Sequence, residues 1–133
     1  MSLRSYQDLE VWQRGMDLID AVYGVAEGFP STERFGITSQ VQRAAVSVAC
    51  NIAEGYGRTH RGDYLRFLSI ARGSLCEVET LLLIAVRRKY ATNEQTQPLL
   101  ALSKRIGQML ARLIQSLEQT RNTDPAPAVP RPG

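Results

Sequence analysis

Four stretches of this chain repeat apolar residues at steps of three and four, short links join them, and no stretch alternates with the period of two that a half-buried strand needs. That feature fixes the class as all-α. Long amphipathic helices on short links must run antiparallel to their sequence neighbours, which predicts an up-down-up-down antiparallel four-helix bundle. At 133 residues the chain is long enough for one domain with a real core and too short for two. The bundle is expected over residues 1–121 and a disordered, Pro-rich C-terminal tail over 122–133, where "NTDPAPAVPRPG" holds four prolines.

The first helix is expected over about 6–27, with Ser5 as N-cap and Asp8 near the positive helix end. It carries two adjacent apolar stripes. One runs Leu9, Trp12, Met16, Ile19, Tyr23 and Ala26, and the other Val11, Leu18, Val22 and Val25. So wide a face implies burial against more than one neighbour. The second helix is expected over about 32–55, with an irregular turn at Phe35-Gly36 and Thr38 able to cap its main part. The third is expected over about 60–90 with Thr59 as N-cap, and the fourth over about 93–120, where Thr92 and Gln95 have the capping-box spacing. Mid-helix Gly73, like Gly15 and Gly107, predicts close approach of another helix, because such a glycine costs about 1 kcal/mol relative to alanine.

The chemistry a bundle can host is constrained by counting. A carboxylate-bridged di-metal site needs Glu-x-x-His on two helices. The single histidine, His60, stands in "GRTHRGD" with no glutamate three residues before it. Cys50 and Cys76 form no CxxC pair and are expected to be buried, reduced thiols. "GYGRTHRG" matches neither a phosphate loop nor a dinucleotide fingerprint. No metal, no cofactor and no catalytic residues are therefore expected. No apolar run reaches the roughly 18 residues of a membrane span, and "MSLRSYQDLE" has no apolar signal core, so a cytoplasmic protein with no membrane partner is expected.

Charge is distributed unevenly. Residues 1–30 hold two basic and five acidic side chains, a net −3, whereas 31–133 hold fourteen basic and eight acidic, a net +6. Fourteen of the sixteen cations are arginine, which suits bidentate pairing with carboxylate or phosphate. Candidate phosphate contacts are Arg58 and Arg61 at one end of the third helix, Arg87, Arg88 and Lys89 at the other, and Lys104, Arg105 and Arg112 along the fourth. A polar stripe on the second helix, Gln40, Arg43, Ser47, Asn51, Glu54 and Arg58, has a counterpart on the third in Ser69, Arg72, Gly73, Glu77 and Thr80. It reads either as a solvated face or as a polar interface, between subunits or between helices two and three, in which Arg43, Asn51, Glu54 and Glu77 hydrogen-bond. The flanking alanines 44, 45, 49 and 53 favour the interface.

The stretches "YQDLEVWQRGMDLIDAVY", "FPSTERFGITSQVQRAAVSVACNIAEG" and "GRTHRGDYLRFLSIARGSLCEVET" resemble, in order and spacing, the four-helix-bundle proteins encoded in intervening sequences of 23S ribosomal RNA genes, a fold family that includes accessory proteins of diversity-generating retroelements. The motifs L-x-V-W, N-I-A-E-G and F-L-x-I-A-x-G-S carry the likeness, over about residues 5–118. The resemblance implies a ring-shaped homopentamer without enzymatic activity, and for the retroelement relatives it implies partners in nucleic acid, RNA or DNA, and a reverse transcriptase. Under it Trp12, Gln40, Arg43, Asn51, Glu54, Gly55, Gly73, Ser74 and Glu77 are structural or interface positions. The expected function is a homo-oligomer that binds nucleic acid through Arg-rich surfaces. The alternative is an assembly or adaptor module that binds a protein partner without nucleic acid.

Overall fold

A computed structural model describes the backbone of residues 4–123 and the side chains of residues 4–119. Its four helices are α1 (Glu10–Ala26), α2 (Ile37–Tyr56), α3 (Arg61–Arg87) and α4 (Asn93–Thr123). Among the described residues there is no strand. The expectation of a disordered tail falls on residues 124–133, outside the described ones. Asn122 and Thr123, assigned to that tail from the sequence, continue α4.

Side-chain contacts fix the directions. Gly15 of α1 meets Ala49 of α2, Ser47 of α2 meets Ser74 of α3, and Ser103 of α4 meets Glu79 of α3. Near the α2–α3 link Gly55 meets Tyr64. Each helix thus runs antiparallel to the one before it. α1 packs on α2 and α4, α3 packs on α2 and α4, and α1 and α3 occupy diagonal corners. The core between them holds fully buried Leu18, Ile52, Leu68, Leu82, Ile106 and Leu110.

The helix termini depart from the sequence reading in instructive ways. Ser5 does cap, but it caps a single 3₁₀ turn at Tyr6–Asp8, accepting a hydrogen bond from the Gln7 amide; α1 starts only at Glu10, behind Leu9. The second helix begins at Ile37, five residues later than expected, because Ser31–Glu33 forms its own 3₁₀ turn. Thr38 does not cap it. Glu33 does, accepting from the Ile37 amide at 3.2 Å with one carboxylate oxygen and from the Tyr90 hydroxyl at 3.0 Å with the other. One carboxylate thereby ties the start of α2 to the α3–α4 link. His60, not Thr59, precedes the first residue of α3, and it supplies no side-chain cap. The Thr92–Gln95 capping box forms reciprocally, at 2.9 and 3.1 Å.

Gly55 shows why a small residue ends "NIAEG". A Cβ there would lie 3.0 Å from Phe67 Cβ and from Tyr64 Cδ1. α2 and α3 come together at that point just before the chain turns.

Candidate nucleic-acid interface

The polar stripe on α2 divides in two. Ser47 and Ser74 join α2 to α3 through their hydroxyls at 2.8 Å. Asn51 donates to the Ser47 carbonyl at 2.8 Å and to its hydroxyl at 2.9 Å. Ser74 is itself buried. Asn51 thus holds Ser47 in place, and Ser47 sets the register against α3. Glu54 does not join this group. It is exposed and pairs with Arg58 one turn on, at 2.8 Å. Gln40, Arg43 and Glu77 are exposed, and the structure brings neither Arg43 nor Glu77 to Asn51. Trp12 is half-buried, with Tyr6 edge-on at 5.3 Å between ring centres.

A second inter-helix link has no signature in the sequence. The Ser103 hydroxyl, fully buried on α4, donates to the Glu79 carboxylate of α3 at 2.6 Å. A hydroxyl bonded to a carboxylate is among the stronger neutral-to-charged hydrogen bonds. Ser103→Ala should lower unfolding stability by about 1–3 kcal/mol, and Ser103→Thr should recover part of it. Urea denaturation measures both.

The eight candidate cations form three groups. Arg58 and Arg61 lie at the α2–α3 link. Arg58 pairs with Glu54 and lies over the Phe67 ring, 4.7 Å from its centre. Arg66 approaches the same ring at 4.6 Å and belongs to this group, although nothing in its spacing marks it out. Arg61 is half-buried. At the opposite end, Arg87 closes α3, Arg88 follows it, and Lys89 adopts a left-handed backbone with φ 64° that turns the chain toward Tyr90. All three are exposed, and among the described residues none has an ion-pair partner. On α4, Arg105 approaches Glu10 of α1 at 3.6 Å with both side chains largely in water, so the pair contributes little. Arg112 is exposed. Lys104 lines an open cleft of about 320 Å³ between α3 and α4 together with Arg72, Glu79, Ser103 and Gly107.

Cys50 and Cys76 are exposed free thiols, not buried ones. Their apolar sequence neighbours face the core, while one further step around the helix turns each sulfur outward; Cys76 lines the α3–α4 cleft. Among the described residues no group of three His, Cys, Asp or Glu side chains lies close enough to hold a metal ion. Nor is any helix there long and apolar enough to cross a membrane.

A single-domain antiparallel bundle with polar cross-links and basic ends is the class of protein this geometry defines. The chain belongs to the 23S rRNA-intervening sequence protein family, whose model matches residues 7–112. Its fold is similar to the crystal structure, at 1.70 Å, of a protein of unknown function from the S23 ribosomal protein family of Bacteroides thetaiotaomicron. That likeness has a TM-score of 0.73 and 24% sequence identity, and covers 79% of this chain and 98% of the other. No curated protein matches the sequence.

Proposed function

We propose that the protein is a non-catalytic homo-oligomer, a pentamer, that binds structured RNA through its basic surfaces. The observation that carries this reading is the exposed run Arg87-Arg88-Lys89 at one end of the bundle, three consecutive cations with no ion-pair partner among the described residues. Membership of a family named for 23S rRNA genes supports RNA as the polyanion. In a pentamer the run is repeated five times, so a local charge of three becomes a ring that steers a polyanion toward it. The reading includes a cytoplasmic setting, consistent with two exposed free thiols.

The described residues present no array of exposed aromatics to stack single-stranded bases, so the contacts fall on phosphates and duplex shape. The expected result is retardation of a duplex-RNA hairpin at about 50 mM salt, lost by about 200 mM, as counterion release requires. An unshifted hairpin at the lower salt refutes the reading.

One side chain favours the adaptor alternative, in which a protein such as a reverse transcriptase binds without nucleic acid. Phe35, in the loop before α2, is 90% exposed. Isolated aromatics so placed serve as anchors in protein interfaces.

A further inference from the structure

We infer that the outer face of α1 in one copy docks on the outer face of α3 in the next, a heterologous contact through which the chain self-associates. This rests on the self-association proposed above and names the surfaces that would carry it.

Both faces show apolar side chains where a solvated helix would have polar ones. On α1, Met16 and Tyr23 lie one above the other and are 41% and 44% exposed. On α3, Ile70, Leu83 and Ile84 are 41%, 52% and 39% exposed. Each face also contains an exposed helical glycine that nothing in the protomer explains. A Cβ built on Gly15 would touch Ala49 and one on Gly55 would press on Tyr64, but a Cβ on Gly24 of α1 or Gly73 of α3 meets nothing within 4 Å. Bare glycines beside uncovered large apolar residues mark a surface that another helix approaches closely.

Charge selects the occupant. The α1 face carries Asp20 and Glu27, which have no ion-pair partner among the described residues; Asp17 beside them is already 3.1 Å from Arg14. The α3 face carries Arg66 and Arg72, also exposed and without ion-pair partners there, against one exposed carboxylate, Glu77. Pairing α1 with α1 would set these carboxylates against each other, and pairing α3 with α3 would do the same to the guanidiniums. Pairing α1 with α3 brings opposite charges together. Because α1 and α3 occupy diagonal corners, one protomer can use both faces at once. A heterologous contact of this kind closes into a ring or runs on as a filament.

Mixing two crippled variants tests the pairing. Met16→Glu with Tyr23→Glu spoils α1 and leaves α3 intact; Gly73→Glu with Leu83→Glu does the reverse. Light scattering of each alone should give the 14.8 kDa protomer, and the mixture should give a 1:1 species of twice that mass. If either variant assembles alone, or the mixture stays at 14.8 kDa while the wild type assembles, the faces are wrong although self-association stands. A wild type of 14.8 kDa removes the self-association itself and this inference with it. Should a glutamate variant lose its cooperative thermal transition, Tyr23→Ser and Leu83→Ser carry the same test.

Discussion

Truncating Leu68 to alanine should lower the unfolding free energy by about 3–5 kcal/mol, the largest effect expected of a single core change here. Leu68 is 0% exposed on α3 and belongs to the core cluster that also holds Leu18, Ile52, Ile106 and Leu110, so its removal leaves a void in that core. A domain of this size has only about 5–15 kcal/mol in total, so the variant should unfold at markedly lower urea with an unchanged slope. Leu83→Ala supplies the control. That leucine is on the same helix but 52% exposed, and in the separated protomer its loss should change stability by less than about 0.5 kcal/mol. Equal losses at the two positions would show that the core is not where the structure puts it.

Replacing Arg87, Arg88 and Lys89 together by glutamine should weaken RNA binding by at least about a hundredfold near 50 mM salt. It should also flatten the dependence of log K on log salt by about 3 for each copy of the run that engages the RNA, one for each phosphate that is no longer neutralised. The same triple change at Arg58, Arg61 and Arg66 should do less. Arg58 is already compensated by Glu54, and both Arg58 and Arg66 lie over Phe67. Fold stability should hardly move, because Arg87, Arg88 and Lys89 are exposed at a helix end. If the Arg58 group dominates, the basic surface has been assigned to the wrong end of the bundle.

The helices and their order are legible in the sequence because periodicity reports a buried face directly. The Thr92–Gln95 box is legible because both partners lie within one turn. Periodicity alone cannot rank the two stripes of α1: the structure buries Val11, Leu18 and Val22 and leaves Met16 and Tyr23 exposed. The cap of α2 is hidden because Thr38 has the usual residue type, whereas Glu33 reaches the helix from a separate turn and is held there by Tyr90, 57 positions away. Ser103 and Glu79 are 24 positions apart on different helices, so no local pattern joins them. Asn51 stands out as a polar residue beside an apolar face, and its neighbours Ser47 and Ser74 complete the link. Glu54, with its charge in water, stands apart from it.

The mass of the full-length chain in solution is the most direct test. Sedimentation equilibrium at low ionic strength should give a particle of five protomers, each 14.8 kDa. A species that stays at 14.8 kDa across the accessible concentrations would contradict an assembling scaffold, and would leave the apolar faces of α1 and α3 without the partner that explains them.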